Sequence, residues 1–408
     1  MKTINIIGLG YIGLPTALMF AKHGVKVVGT DINETLVDSL SNNKLTFEEE
    51  GLEDLFARAC ENGIRFTTEY QTTDMYIIAV PTPYDNTSKK LNPNYVISAM
   101  DKVLDICEKG AIIIIESTLS PGSIDKYIRP EIEKKDKTIG EDVHLVHAPE
   151  RIIPGNMIYE LEHNSRTIGA DDPAIGNRVK DLYSSFCKAE IVVTDIRSAE
   201  MSKVVENTYR DVNIAFANEL AKICRADNMD VYEIIRIANK HPRVNILQPG
   251  PGVGGHCISV DPWFLVGDYP DLTNLILTAR KINDSMPTHV LGRIRDIMRE
   301  HNIVDINKVG IYGLTYKENV DDTRESPTLQ LLRRMDEHLA FGVKVYDPYV
   351  KERIVDHQFM NFEDFLNEIE VLVIMVAHDH IKENLELIKD KYILDTKNIC
   401  KNANVYKL

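Results

Sequence analysis

One thiol, Cys257, stands in the run Gly250-Pro251-Gly252-Val253-Gly254-Gly255-His256-Cys257-Ile258-Ser259-Val260-Asp261-Pro262. Glycines crowd it on one side, a histidine adjoins it, and a carboxylate follows four residues on. A thiol so placed can ligate a metal, form a disulfide or attack an electrophile. The other cysteines, at 60, 107, 187, 224 and 400, are scattered, with no CxxC pair and no compact Cys/His group. Zinc ligation therefore lacks partners, and no metal is expected. A disulfide framework suits short secreted chains rather than one of 408 residues.

The N-terminus indicates what a nucleophile would be for. Gly8-Leu9-Gly10-Tyr11-Ile12-Gly13 follows an apolar run, Ile4–Ile7, that reads as a strand, and it opens a helical pattern, Leu14–His23. Asp31 closes the next strand pattern, Val27-Val28-Gly29-Thr30-Asp31. A GxGxxG in that context is a dinucleotide fingerprint. Gly8 permits the tight turn, Gly10 admits the pyrophosphate, and Gly13 lets helix and strand pack closely. The helix N-terminus favours phosphate charge. Asp31 can accept the adenosine ribose hydroxyls and would repel a 2′-phosphate, so NAD is expected rather than NADP. Val80-Pro81-Thr82-Pro83 and Glu116-Ser117-Thr118-Leu119-Ser120-Pro121-Gly122 begin at carboxyl ends of strand patterns, making Thr82 and Thr118 candidate cofactor contacts.

An alcohol is oxidised to an aldehyde without a thiol. Cysteine becomes useful one oxidation level later. It adds to the aldehyde, the thiohemiacetal gives up a second hydride, and water releases an acid from the thioester. An NAD site together with a placed cysteine thus points to a four-electron oxidation of an alcohol to an acid. Asp261 can orient water or accept a proton. Lys203, Asn207 and Arg210 share one helical stripe at i, i+4 and i+7, a polar wall for a ligand cavity.

These residues must be held by alternating strands and helices. Runs at Val25–Gly29, Met75–Val80, Ile112–Ile115, His144–His147 and Ile191–Val193 join Ile4–Ile7 as buried strands, with helices such as Asn94–Cys107 between them. That alternation implies a parallel, doubly wound sheet over residues 1–195. Helical spacing then dominates 196–303. A helix begins with Ser198 as its N-cap, another covers Asp230–Asn239, and a third runs from Thr273 to His301, with Pro287 expected to kink or break it. Alternation returns over 304–408, with strands at Val309–Tyr312, Val343–Tyr346, Val371–Val376 and Ile393–Asp395 and a helix from Pro327 to His338.

The apolar fraction of 44% supports proper cores. A net charge of −15 argues against nucleic acid as a partner. It also requires that any anionic ligand be held by a local cluster of cations. No apolar run approaches a membrane span, the start carries no signal-peptide pattern, and reduced thiols fit the cytoplasm.

Over essentially its whole length the sequence resembles the UDP-glucose/GDP-mannose dehydrogenase family. The resemblance is carried by Gly8–Gly13 with Asp31, Val80–Pro83, Glu116–Gly122, Pro149-Glu150-Arg151, Lys203 with Asn207, and Gly254-Gly255-His256-Cys257 with Asp261. It continues in Gly313-Leu314-Thr315-Tyr316-Lys317 and Asp321-Asp322-Thr323-Arg324-Glu325-Ser326-Pro327. It implies an α/β fold of two Rossmann-like domains joined by a central helical domain, which forms a homodimer or dimer of dimers. It further implies that Cys257 is the nucleophile and that Lys203 is the general acid/base and oxyanion stabiliser. Asp261, Thr118 and Glu150 would manage water and protons. Asn207 would help hold the sugar, Lys317 would meet the UDP diphosphate, and Arg324 would lie near the boundary of cofactor and substrate. Arg151, Arg210, Gly254 and Tyr316 would also line the substrate site. Enzymes acting on UDP-glucose usually carry a lysine before the loop aspartate, where this chain has Val260. With His241-Pro242-Arg243-Val244-Asn245, this resembles the branch that oxidises UDP-N-acetylmannosamine to its uronic acid. His241 and Arg243 would then be substrate contacts that can reach a neighbouring subunit's site, and His256 would have a positional role. UDP-N-acetylglucosamine and UDP-glucose are the alternative sugars. A nucleotide-sugar-binding protein without catalysis is disfavoured, because Cys257, Lys203 and Asp261 are all present.

Overall fold

A computed structural model describes residues 3–47, 49–85, 87–153, 155–255, 257–338, 340–401 and 404–408. The chain forms two compact units, Met1–Glu206 and Asn207–Leu408.

In the first unit, among the described residues, eight strands form one sheet. They are β1 (Thr3–Ile7), β2 (Lys26–Thr30), β3 (Arg65–Thr67), β4 (Met75–Ile78), β5 (Ala111–Ile115), β6 (Val143–His147), β7 (Arg166–Ala170) and β8 (Ile191–Thr194). Their order is β3-β2-β1-β4-β5-β6-β7-β8. The central strands are buried along their length, which explains why they read as continuous apolar runs. The parallel expectation needs one correction. β7 pairs antiparallel with β6, through Val146↔Ala170 and His147↔Gly169.

Strand order reverses between β1 and β4, so the crevice for a ligand opens at their carboxyl ends. The turn after β1 leads directly into the Gly13–Lys22 helix. Gly8 takes φ +91° there, and a Cβ on it would sit 2.5 Å from the Ala79 carbonyl oxygen. A Cβ on Gly13 would collide with the carbonyl oxygen of Gly8, whereas one on Gly10 would meet nothing within 4 Å.

In the second unit, among the described residues, six strands form an all-parallel sheet in the order β11-β10-β9-β12-β13-β14. They are β9 (Val309–Tyr312), β10 (Lys344–Tyr346), β11 (Gln358–Phe359), β12 (Val371–Ile374), β13 (Tyr392–Asp395) and β14 (Val405–Lys407). The order repeats that of β1–β6, with its reversal between β9 and β12. Helical residues Ala217, Ala221, Met286, Val290 and Ile294 share one core with Val309, Ile311 and Val373 of this sheet.

Two helix expectations change. The long helix runs Ile196–Ala226, and its cap is Asp195 rather than Ser198. The Asp195 carboxylate accepts the Ser198 N–H at 2.8 Å and its hydroxyl at 2.6 Å, because a carboxylate at the cap reaches the third helical position. Pro287 does not end its helix, which continues from Asn274 to Glu300. Met286, Val290, Leu291 and Ile294 around it are buried, and that packing outweighs a proline cost of about 3 kcal/mol.

The glycine contacts separate packing from ligand access. Gly13→Ala should destabilise the first unit by about 3 kcal/mol or more, whereas Gly10→Ala should stay within about 0.5 kcal/mol of the parent. Urea melts of the two variants test this, and equal losses would contradict the contact geometry.

Candidate active site

The first unit gathers one set of site residues. Asp31, at the end of β2, accepts the Leu9 N–H at 2.8 Å and the Asn33 N–H at 2.9 Å, so the carboxylate holds the glycine turn in shape. Tyr11 packs on Phe47 with ring centres 4.4 Å apart, and Ile12 is the residue from which the first helix departs. Gly10 is exposed at that helix's start. The open space about it and the adjacent N–H groups suit a pyrophosphate. The residues present therefore fit NAD, with Gly8, Gly10, Tyr11, Ile12 and Gly13 forming the turn and Asp31 at its edge. Thr82 is buried just beyond β4, and Thr118 is half-buried just beyond β5.

Glu150 follows β6 and is buried. One of its oxygens accepts the N–H groups of Arg151 (2.6 Å) and Ile152 (3.2 Å), and the other pairs with Arg166 of β7. Arg166 also reaches Glu116 at 3.5 Å, and Tyr183 donates its hydroxyl to Glu116 at 3.0 Å. The guanidinium lies over the Tyr183 ring at 4.5 Å. Burial pushes the Glu116 carboxyl up to about 7, against the opposing pull of Arg166. Burial also pushes His147, on the neighbouring strand, down to about 4, so it stands neutral. The motif containing Glu116 is visible in the sequence. Its part in a four-residue buried network with Arg166, Tyr183 and Glu150 is not.

Arg151 turns away from this network, to Thr167 Oγ1 at 2.6 Å and Glu206 at 3.0 Å. Lys203 is 5% exposed on the long helix. One turn earlier, Glu200 accepts the N–H groups of Gly122 (2.6 Å) and Ile124 (2.9 Å) and pins the segment after Thr118. Burial pushes Glu200 up to about 7 in spite of those donors.

The second unit holds the thiol. Cys257 is half-buried, and its carbonyl accepts the N–H groups of Val260 (3.0 Å) and Asp261 (2.9 Å). That turn leads straight into the Asp261–Asp268 helix. Asp261 is buried, and its carboxylate accepts the Asn207 side-chain amide at 2.6 Å. Asn207, expected to hold a sugar, is thus also the residue that orients Asp261. Ser259 donates to the Gly255 carbonyl. His256 lies outside the described residues.

Gly254 faces the protein itself. A Cβ there would come within 2.6 Å of the Glu325 carbonyl oxygen and 2.7 Å of Tyr316 Cβ. Tyr316 and Lys317 are half-buried beyond β9. Arg324 forks onto Asp322, Nε to Oδ1 at 2.9 Å and Nη2 to Oδ2 at 2.6 Å. Arg210, His241 and Arg243 are exposed, and the Arg243 N–H donates to His241 Nδ1 at 3.3 Å.

Two further groups escape a reading of the sequence. Asp347, at the end of β10, accepts the N–H groups of Leu314 (2.6 Å) and Thr315 (3.2 Å) and neighbours buried His378 at 3.3 Å. Burial raises its affinity for a proton, but the His378 and backbone donors outweigh this and hold it below the usual range. A signal is present: Gly313-Leu314 followed by Asp347 repeats Gly8-Leu9 followed by Asp31. The second group secures the start of the cysteine loop. Asn218 accepts the Gly250 N–H at 2.8 Å and donates to Asn283 at 2.9 Å, while Asn283 and Arg280 both donate to buried Asp211.

Three descriptions of one family match the chain in order: the NAD binding domain of the UDP-glucose/GDP-mannose dehydrogenases over residues 2–187, their central domain over 197–285, and their UDP binding domain over 310–402. The chain is 43% identical to a UDP-N-acetyl-D-mannosamine dehydrogenase from Methanocaldococcus jannaschii, over 98% of this chain and 92% of that one. It is 38% identical to an NDP-N-acetyl-D-galactosaminuronic acid dehydrogenase from Ralstonia nicotianae, over 98% and 96%. The solved UDP-N-acetyl-mannosamine dehydrogenase from Staphylococcus aureus matches with a TM-score of 0.88 and 42% identity, over 100% of this chain and 97% of that one.

The buried carboxyl makes a pH prediction. Folded Glu116 keeps its proton from the ordinary value of 4.5 up to about 7, where the unfolded chain has lost it. Its contribution to stability therefore falls as pH rises through that window. Glu116→Gln should gain on the parent between about pH 5 and 7, by up to about 1.4 kcal/mol per pH unit. Urea denaturation of both proteins at several pH values reads this directly, and a flat difference would refute the assignment.

Proposed function

The chain belongs to the UDP-glucose/GDP-mannose dehydrogenase family, and from that premise we propose that it oxidises the C6 hydroxymethyl of UDP-N-acetyl-D-mannosamine to the carboxylate. The family makes it an NAD-dependent enzyme of sugar nucleotides. The observation that carries the mechanism is the buried Asn207–Asp261 hydrogen bond, which aims a carboxylate from the helix that begins one turn after Cys257.

The residues have distinct roles. A base takes the C6 hydroxyl proton as hydride leaves, and the Cys257 sulfur adds to the aldehyde. The Lys203 ammonium stabilises the oxyanion and exchanges the proton. Loss of a second hydride from the thiohemiacetal leaves a thioester. Asp261, with Glu150 and Thr118, orients and deprotonates the water that releases the acid and returns the thiol. NAD, when bound, accepts one hydride in each oxidation. Asp31, Thr82 and the Gly8–Gly13 turn would hold it, with Arg324 near the boundary of cofactor and substrate. Arg151, Arg210 and Lys317 would bind the nucleotide sugar, Gly254 and Tyr316 would shape its site by packing on each other, and His241 and Arg243 would contribute to the neighbouring subunit's site.

The sugar assignment draws on Val260, where UDP-glucose enzymes usually carry lysine, and on the relatives' names. N-acetyl-gluco and N-acetyl-galacto sugars are the competing readings, the latter because of the Ralstonia relative. We read residues 1–195 as the NAD-binding domain, 196–303 as the central helical domain and 304–408 as the UDP-sugar domain. A homodimer is supported by exposed Met201, Val205, Tyr209, Phe216 and Ile223, which recur along one side of the long helix. No helix among the described residues is long and apolar enough to cross a membrane. A catalytic thiol that must stay reduced fits the cytoplasm.

Cys257→Ser and Cys257→Ala should abolish acid formation, and the parent should yield two NADH per sugar. Wild-type acid output from either variant would end the mechanism, and a single NADH would mean that oxidation stops at the aldehyde. Parallel turnover of UDP-N-acetylmannosamine, UDP-N-acetylglucosamine, UDP-N-acetylgalactosamine and UDP-glucose tests the sugar. A preference for any of the last three would overturn it. Val205→Asp with Phe216→Asp should shift sedimentation to the monomer, and an unchanged oligomer would locate the interface elsewhere.

A further inference from the structure

The loop beyond β9 and the loop that carries the thiol are built against each other. Tyr316 occupies the space that side chains at Gly254 and Gly255 would need, with its ring at Gly255 and its Cβ at Gly254. A Cβ on Gly255 would fall 2.8 to 3.1 Å from its ring carbons, and one on Gly254 would fall 2.7 Å from its Cβ. Gly255 has φ +82° and donates its N–H to the Arg324 carbonyl at 3.0 Å. Glu325, a residue with a side chain, takes φ +50° where its carbonyl meets Gly254. Ordinary side chains at 254 and 255 would therefore force the loops apart.

The β9 loop is itself anchored. Tyr316 donates its N–H to the Asp322 carbonyl at 3.0 Å, and Thr315 donates its hydroxyl to the Lys317 carbonyl at 2.8 Å. The Asn319 N–H donates to His378 Nδ1 at 2.9 Å. Lys317 therefore extends from a short, tied segment whose preceding residue is the tyrosine. The thiol side is tied as well, because the Ser259 hydroxyl joins Gly255 to the turn that carries Cys257.

We propose that Tyr316 is a positioning residue, through which ordering of the diphosphate loop at Lys317 sets the turn that carries Cys257. The proposal rests on the reading of Cys257 as nucleophile and Lys317 as diphosphate contact. The nucleotide is remote from the carbon that reacts, and its binding energy helps catalysis only if it is converted into alignment there. A packed aromatic ring between two tied loops is a means of that conversion, since a close-packed contact transmits displacement rather than absorbing it.

The test follows alkylation of Cys257 by iodoacetamide, read on its own peptide by mass spectrometry, with and without saturating UDP and without NAD. UDP should slow alkylation of the parent several-fold. In Tyr316→Ala, with UDP binding confirmed by calorimetry, the UDP effect should vanish. Tyr316→Phe, which keeps the ring, should retain it. Turnover of Tyr316→Ala should show a fall in kcat of about 10- to 100-fold with little change in KM. No UDP effect in the parent, or an equal effect in Tyr316→Ala, overturns the proposal. An equal effect would mean that UDP merely shields the thiol. Loss of UDP binding in Tyr316→Ala also overturns it, by making the ring a ligand contact. Failure of the nucleophile reading registers separately, as acid formation by Cys257→Ala.

Discussion

Each half of the chain depends on one kind of hydrogen bond, from the N–H of a leucine after a glycine turn to a carboxylate at the end of the adjacent strand. In the first sheet it joins Leu9 to Asp31 at 2.8 Å, and in the second it joins Leu314 to Asp347 at 2.6 Å. In both, the glycine N–H donates to the last residue of the neighbouring strand, Gly8 to Thr30 and Gly313 to Tyr346. The first residues past a parallel strand have lost their ladder partners, and a carboxylate supplies one. A bent, rigid turn follows at the edge of the crevice where strand order reverses. In the first unit the helix starts at once after that turn, and its N–H groups suit a phosphate. In the second the turn continues into the loop of Tyr316 and Lys317.

The two carboxylates have diverged in their surroundings. Asp31 remains partly exposed, as a carboxylate that also accepted ribose hydroxyls would have to be. Asp347 is buried beside His378 and is committed to structure. A common construction therefore recurs in the NAD binding and UDP binding domains, and what separates the two carboxylates is the buried histidine beside Asp347.

Much of this is legible in the sequence, for physical reasons. Central strands buried on both faces leave continuous apolar runs, and the glycine turn must keep fixed spacing to strand and helix. The thiol loop stands out because backbone so crowded admits only glycine. What escapes are features whose partners are distant in sequence. Arg166 meets Glu150 and Glu116 across 16 and 50 positions, and no local period marks such a pair. The strand holding Arg166, Arg-Thr-Ile-Gly-Ala, has too few apolar residues to read as buried. Serine is a good helix cap, which favours Ser198, but Asp195 lies three residues earlier with a carboxylate that reaches the same N–H.

The thiol loop's glycines carry a meaning that only their surroundings reveal. Glycine beside a nucleophile invites the reading that backbone must approach substrate. At Gly254 and Gly255 the missing side chains instead admit Tyr316 and the Glu325 carbonyl. At Gly10 the space stays open, as a ligand cradle requires. The same residue type thus does opposite work at the two ends of the chain. The difference lies in whether protein atoms already stand where Cβ would be, and that is a property of the fold. A chain of net charge −15 has reason to divide the labour in this way. Phosphate would be met through backbone N–H groups and single cations on loops held stiff, because an overall field of the wrong sign gives an anion no help in finding its place.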